Sequence, residues 1–556
     1  MILVGTAVLA AVTFIITAAR LFFAVDFTDE ALYAVMPYRF ALGAKPFVDE
    51  LLFQQTSAFL SYPFVKLFYL FTGGTSGIIL YIRFLYLFFM VGVGLCVWFA
   101  IRRVVGRPVA AIAALPCVAF IYFNIPSLTY NTLGLGFLTV GSFLGYYAIS
   151  EDKRWFPVAG AAHGLAVVAY PSLAAAVLVF AAALAVLNKQ AGKPWRDWSR
   201  YIAGGLIIAA GLLVVFLTSG ISHVLASYNN TNAIGIFGGG LTKFAATAKN
   251  VWALYQGKAV LLIGLIAALT LKNRRPIRAG LLLLVLPLLP LSITGFPGFL
   301  QSAGYISYYA LLAPYLYLFI LEEHAAGRLL WLVWLPGFVA GALVSYTSSN
   351  GYLALSIGFF PGALVTSIFL FLVLKKLWSG KETARFVGAA VVAIPVIILL
   401  VFQFGQPYRD DNIGSLTARI TSGGYAGLYT TPAKRDFLAS VTRDLERIKK
   451  DAGTVLVFDN FPAGYLVSDL KPHTDKAWIA PMALYPGVDK KTTVDYYAKK
   501  AMYPDAIVRM NRVLYTTYFQ EILSYSKSDS LNNLAESAAY EPVVKRCDYV
   551  IFRRVR

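Results

Sequence analysis

Apolar blocks of roughly 15 to 24 residues recur along this chain as far as Phe404, with short polar loops between them, and that is the length a helix needs to cross a bilayer. Charged residues make up only 14% of the sequence, against about 25% in a soluble globular protein. So few charges cannot clothe a water-facing surface. A soluble enzyme, a disordered chain and a nucleic-acid-binding domain are excluded on that ground, even though the formal net charge is +20. The sequence predicts a polytopic integral membrane protein. Cys96 and Cys117 lie within apolar blocks and Cys547 stands alone, so no disulfide framework is expected.

The first block, residues 3–25, is too long for a signal-peptide core and lacks a cleavage site before Asp26, which reads as an uncleaved transmembrane helix. Further spans centre near residues 89, 116, 141, 164, 180, 210, 265, 286, 315, 338, 363 and 396, about thirteen in all. Around Tyr170-Pro171-Ser172 the pattern fits either a tight hairpin or one kinked helix. Alternate loops carry the basic residues: Arg102, Arg103 and Arg107; Lys153 and Arg154; Lys189, Lys193, Arg196 and Arg200; Lys272, Arg274, Arg275 and Arg278; Lys375, Lys376, Lys381 and Arg385. Basic loops stay in the cytoplasm. The expected topology is therefore a multi-pass protein of the plasma (inner) membrane with a cytoplasmic N-terminus. Residues 26–76, 124–131, 220–257 and 294–307, together with everything after about residue 405, are expected outside.

Past Phe404 the composition changes. Residues 409–556 hold 22 Lys/Arg and 17 Asp/Glu, enough charge and length for one water-soluble domain. Thr431-Pro432 opens an amphipathic helix to about Lys450. Gly453 ends it, Thr454–Phe458 reads as a buried strand, and Tyr549–Phe552 as a last strand. The fold expected is an all-α membrane domain over 1–408, with a large first outer loop at 26–76, followed by a small α/β domain over 409–556 that lies outside. The run Phe461–Ser468 reads as a tight turn in that domain, either a structural turn, which the pattern favours, or a contributor to acceptor handling.

The acids locate the chemistry. Before residue 409 there are eleven, and six of them (Glu151, Asp152, Asp197, Glu322, Glu323 and Glu382) sit in cytoplasmic loops beside Lys or Arg. The other five, Asp26, Asp29, Glu30, Asp49 and Glu50, all fall in the first outer loop. Acids held against a membrane are expensive and tend to be functional. The apolar runs that follow, Leu51–Phe53 and Phe59–Phe68, read as helices lying along the interface. A carboxylate held there can act as general base for a hydroxyl arriving from water while a lipid-linked partner reaches it from the membrane.

The run Asp29-Glu-Ala-Leu-Tyr33, then Arg39, Gly43, Pro46-Phe47, Asp49-Glu50, Gly74 and Arg83 resembles the first outer loop of the bacterial protein-O-mannosyltransferase-like glycosyltransferases. The resemblance covers about the first hundred residues in its motifs and the remainder in layout. It implies a GT-C fold, a polyprenyl-phosphate sugar as donor, Asp29 as catalytic base, Glu30 supporting it or holding the acceptor, and Asp49 and Glu50 as a second acidic position. The chain departs from that pattern in two places. The second outer loop has Tyr130-Asn131-Thr132 where relatives carry another Asp, and the loop before Pro314 has Tyr308 and Tyr309 without the His or Arg of relatives.

A donor whose phosphate leaves needs cations near it. Arg39, Lys45, Arg83, Lys243, Lys249 and Lys258 are the outer candidates, and Arg83 stands out because it begins an apolar block. It reads either as a phosphate ligand or as a residue snorkelling to the headgroups. Lys243 and Lys249 follow Gly238–Gly240 in a long loop, a flap or a plain linker. Tyr308 and Tyr309 could stack on a sugar or polyprenyl chain, or belong to an interfacial aromatic belt. His163, His223, His324 and His473 are scattered, and no nucleotide-binding fingerprint appears. No cofactor is expected with certainty, although the acidic pairs could hold a divalent cation. The function expected is transfer of a sugar from polyprenyl phosphate to a lipid, glycan or protein acceptor on the outer face, with inversion. The alternative is a transporter or flippase of lipid-linked sugars, which the shortage of ionisable residues inside the helices disfavours.

Overall fold

The computed structural model describes residues 2–233 except 191, 193 and 194; 240–249 and 252; 286–481 except 293–295, 297, 319, 321, 322, 349 and 379–381; and 490–555 except 515–518 and 523–528. The chain is mostly helical, and eight helices among these residues are long and apolar enough to cross a membrane. Four elements open it: α1 (Ile2–Arg20), α2 (Asp29–Ala41), α3 (Gln55–Thr72) and α4 (Ile78–Val105). α1 and α4 are membrane-length; α2 and α3 build the loop between them. The other long apolar helices are Tyr130–Ser150, Pro171–Gln190, Trp195–Ser219, His324–Thr347, Ser356–Leu377 and Arg385–Gln403.

Several expected spans differ in detail. The one near 116 is a shorter apolar piece, Arg107–Ala119, broken before Pro116. The one near 315 is split into Gln301–Ala310 and Ala313–Tyr317, with Pro314 opening the second piece. The span near 265 lies outside the described residues. At Tyr170 the backbone is extended and Pro171 restarts a short turn. His163 on one side meets Phe180 on the other, edge to face at 4.5 Å, so the chain reverses there as a hairpin. Its first arm, Phe156–Ala169, packs closely on Trp195–Ser219. A Cβ added at Gly204 would lie 1.9 Å from the Pro157 carbonyl oxygen, and one at Gly160 would lie 1.9 Å from that of Tyr201. Lipid offers no hydrophobic drive for helix pairing, so small residues that let backbones approach supply the contact.

Basic and acidic loop residues meet at one end of the helices, where Lys153 lies 2.8 Å from Asp197 and Arg103 pairs with Glu151. The first loop and the chain after Gln403 share the opposite end. There, β1 (Ala418–Arg419) and β2 (Tyr429–Thr430) pair antiparallel. A helix at Pro432–Ile448 follows, with the Thr431 side chain accepting from Lys434 N–H at its start. β3 (Thr454–Phe458), β4 (Lys471–Pro472), β5 (Ala506–Met510), β8 (Tyr540–Lys545) and β9 (Tyr549–Arg554) form one sheet in the order β4-β3-β5-β9-β8. β3 runs parallel to β4 and β5, and β9 runs antiparallel to β5 and β8. A separate hairpin joins β6 (Arg512–Leu514) and β7 (Phe519–Ile522).

This unit is sewn to the first loop by backbone bonds. Ala24 N–H donates to Tyr429 O (2.9 Å), Tyr429 N–H to Phe22 O (2.7 Å), Leu51 N–H to Asp475 O (2.7 Å) and Ala463 N–H to Phe27 O (3.1 Å). The turn Pro462–Leu466 thus packs on α2, the structural role its sequence predicts.

Candidate active site

α2 begins where Asp26 caps it. Its carboxylate accepts from the Thr28 N–H (3.1 Å), the Thr28 hydroxyl (2.7 Å) and the Glu30 N–H (2.8 Å). An acid at a helix N-terminus satisfies orphan donors and meets the positive end of the helix dipole. The cap sets the next turn of backbone, and Asp29 and Glu30 then diverge.

Glu30 faces inward and is buried. Arg83 grips it with Nε to Oε1 at 2.7 Å and Nη2 to Oε2 at 2.6 Å. The same guanidinium donates to the carbonyls of Leu21 (2.6 Å), Phe23 (2.9 Å) and Ala24 (2.8 Å). Those five bonds use all five of its N–H groups. Arg83 is therefore neither a phosphate ligand nor a snorkelling anchor: it clamps the C-terminal end of α1 to α2. Burial raises the Glu30 carboxyl above its usual range, and Arg83 opposes the rise.

The second acidic position is likewise built in. Glu50 pairs with Arg39, both buried, and also accepts from Leu52 N–H (3.1 Å) and Ala477 N–H (2.9 Å). Burial pushes Glu50 up to about 7, with Arg39 pulling the other way. Arg39 donates in addition to the carbonyls of Asp49 and Thr474. Asp49 accepts from Lys45 N–H (2.8 Å), Tyr496 (3.2 Å) and Lys500. Burial acts to raise the Asp49 carboxyl, but these donors together hold it below its usual range. Arg39, Asp49 and Glu50 thus join the first loop to the C-terminal unit.

Asp29 lines a cavity of about 150 Å³ between the first loop, the segment around residues 122–131 and the C-terminal unit, and it is the one acid among the residues that line this cavity. Its carboxylate is 34% exposed, and that opening is into the cavity. The Tyr408 hydroxyl donates to Oδ2 at 2.5 Å, and Arg409 Nη1 stands 3.7 Å from the same oxygen. Burial raises the Asp29 carboxyl above the ordinary aspartate range; Arg409 lowers it, Asp26 raises it, and the Tyr408 bond lowers it. Burial and Asp29 hold the Tyr408 phenol well above its usual range, so it stays a donor. Arg409 also donates to the Thr28 hydroxyl and lies over the Tyr408 ring, 4.7 Å from its centroid.

Aromatic and carboxamide side chains complete the walls: Tyr33, Tyr122, Tyr130 and Trp478, with Gln54, Asn131 and Asn350. Phe123 stacks on Tyr408 at 5.9 Å. Phe123 and Asn124 both take left-handed backbone, φ 54° and 56°, which costs a side-chain-bearing residue of order 1–3 kcal/mol. Asn124 is held there by donating to Gln406 O (3.1 Å) and accepting from Arg20 (3.2 Å).

The remaining sequence candidates lie elsewhere. Lys243 and Lys249 sit on a helix over 240–249 and do not line the cavity; Lys258, Gly238 and Gly239 are outside the described residues. Tyr308 and Tyr309 are buried among the helices, Tyr309 hydrogen-bonded to Ser367 at 3.1 Å, so they belong to the helix core and not to a belt or a sugar platform. Among the described residues no three His, Cys, Asp or Glu side chains gather as metal ligands, and the oxygens of Glu30 and Glu50 already serve Arg83, Arg39 and backbone donors. Sequence reasoning did not pick out Tyr408, Arg409, Gln54 or Trp478. The signal for the first two is a Tyr-Arg pair directly after the last apolar helix.

No family model matches the chain, and no curated protein matches it. Solved structures do resemble it in shape. The oligosaccharyltransferase of Archaeoglobus fulgidus, tethered to an acceptor peptide containing the NVT sequon by a disulfide bond, is 13% identical. That likeness covers 91% of this chain and 69% of that one, with a TM-score of 0.46. ArnT from Cupriavidus metallidurans bound to undecaprenyl phosphate is 13% identical, covering 99% and 98%, with a TM-score of 0.47. The same ArnT in its apo state gives 14%, 99% and 97%, with a TM-score of 0.38.

Proposed function

We propose that this protein is a membrane glycosyltransferase that moves a sugar from a polyprenyl-phosphate donor to a hydroxyl acceptor on the outer face. The observation that carries the reading is Asp29: one unclamped carboxylate, raised in pKa by its enclosure, beside a cation in a cavity at the helix–soluble junction. The resemblance of the first loop to polyprenyl-phosphate-dependent glycosyltransferases points the same way.

In this reading the acceptor oxygen attacks the anomeric carbon as its proton passes to Asp29. The bond from that carbon to the phosphate oxygen breaks, and the electron pair leaves with the lipid phosphate. One displacement inverts the anomeric centre. A base works best when its pKa approaches the working pH, which is the direction enclosure moves Asp29. Arg409 supplies positive charge where the phosphate develops its own negative charge. Glu30, clamped by Arg83, positions the base without sharing its chemistry.

The test is turnover of Asp29→Asn in inserted, folded protein. It keeps the side chain's size but cannot take the proton, and general-base assistance is worth about 10²–10⁴-fold. Wild-type turnover in this variant would end the proposal.

A further inference from the structure

The cavity wall opposite the membrane helices comes from the C-terminal unit, and its largest aromatic is Trp478. Several contacts fix that indole in place. Its N–H donates to Asn460 Oδ1 at 2.6 Å, and Asn460 N–H donates to the carbonyl of Ile479 at 2.9 Å. Asn460 follows Asp459 directly after β3, both with φ of 68°, a pair of left-handed residues that turns the chain sharply back toward Trp478. On the other side, Leu51 N–H, Ala477 N–H and Arg39 tie the segment 474–477 to the first loop. Trp478 lines the cavity with its N–H already bonded to the buried Asn460.

The same cavity holds an unmet acceptor. Gln54 Oε1 is buried at the cavity wall and has no hydrogen-bond partner. Buried polar atoms are normally paired, so this oxygen calls for a donor from a ligand. A fixed aromatic plane beside carboxamide groups suits a pyranose or furanose ring, whose C–H face lies on the aromatic while its hydroxyls meet Gln54, Asn131 or Asn350. The plane also has a side. The donor's polyprenyl tail stays in the bilayer, so its sugar reaches Asp29 from the helices; Trp478 belongs to the unit outside them, where the acceptor arrives.

We propose that Trp478 is the platform on which an acceptor sugar ring stacks, which makes the acceptor a glycan and not a protein hydroxyl or a lipid headgroup. The inference rests on the glycosyltransferase reading and deepens it.

The experiment uses the full chain in lipid nanodiscs, labelled with 5-fluorotryptophan. Trp478→Phe identifies the Trp478 fluorine signal among the nine tryptophans. The probes are oligosaccharides released from the host's own envelope glycan, a Ser/Thr-containing peptide and a short-chain phospholipid. The oligosaccharide is expected to move the Trp478 signal, in wild type and in Asp29→Asn alike, and the other two probes to leave it unmoved. In the transfer assay Trp478→Ala should raise the oligosaccharide KM about tenfold, the scale of one aromatic stacking contact, and Trp478→Phe should raise it less. A Trp478 signal that ignores the oligosaccharide, or that answers to the peptide or the phospholipid instead, overturns the proposal. So does an unchanged KM in both variants. Should the alanine variant not fold, the fluorine signal and the phenylalanine variant still decide. The two readings fail differently. If Asp29 is not the base, the oligosaccharide still moves the signal while transfer proceeds in Asp29→Asn; if the glycan assignment is wrong, transfer still needs Asp29 and the signal stays put.

Discussion

Replacing Glu30 by Gln separates a residue that performs chemistry from one that holds it in place. In the wild type the Glu30 and Arg83 side chains are each 2% exposed, and both carboxylate oxygens accept from the guanidinium. Glutamine keeps the shape but removes the negative charge and turns one acceptor into a donor that faces Arg83. The guanidinium retains three backbone carbonyls and at most one amide oxygen, and loses its counter-ion. Removing one partner of a buried pair costs about 3–5 kcal/mol, a large part of the 5–15 kcal/mol that a typical domain possesses. Glu30→Gln should therefore melt far earlier than wild type in detergent, while the molecules that remain folded retain most of their turnover. Adding Arg83→Met removes the stranded charge, so the double variant should recover much of the loss. The assay is a thermal melt alongside transfer per folded molecule. A Glu30→Gln protein that melts like wild type yet loses turnover as Asp29→Asn does would refute the assignment and make Glu30 part of the proton path.

Two further outcomes follow from the geometry. In its proposed role as base Asp29 acts deprotonated, so transfer should rise with pH through a midpoint above that of an ordinary aspartate; Arg409→Gln removes the largest influence holding that pKa down, so a pH–rate profile should show the rising limb displaced to higher pH and a lower plateau. Gly204→Ala drives a methyl into the Pro157 carbonyl 1.9 Å away and should sharply lower the yield of folded protein in a melt, whereas Gly211→Ala on the same helix meets nothing within 4 Å and should be silent.

Much of the architecture was legible because it repeats locally. Apolar blocks foretold a membrane protein, and Pro432–Ile448, Thr454–Phe458 and the strand from Tyr549 stand where capping and periodicity put them. The acidic loop was legible too, because five carboxylates in one short stretch of an acid-poor region are conspicuous. What each acid does was not. Arg39 and Arg83 look like phosphate ligands in sequence because they are cations in the right loop, yet each answers an acid of that loop at short range in space. Arg409 was hidden for the opposite reason. It stands where the composition turns polar, so it reads as the first charge of a soluble domain when it is a wall of the cavity. Trp478 and Gln54 come to line one cavity only through the docking of two distant segments, and no periodicity records that.

The stitching of the first loop to the C-terminal unit has a consequence for how the protein is made. Ala24 binds Tyr429, and Arg39 and Glu50 bind Thr474 and Ala477, partners about 400 residues apart that, at about 5–20 residues per second, leave the ribosome about 20–80 s after the loop. Through that interval Glu50 and Asp26 wait with their inter-segment partners still unmade, and Asp29 has neither Tyr408 nor Arg409 beside it. The cavity comes into being only with the last quarter of the chain. A nascent chain thus has no complete cavity until its C-terminal part is made, and any truncation that removes the end of the protein opens the wall around Asp29 as well.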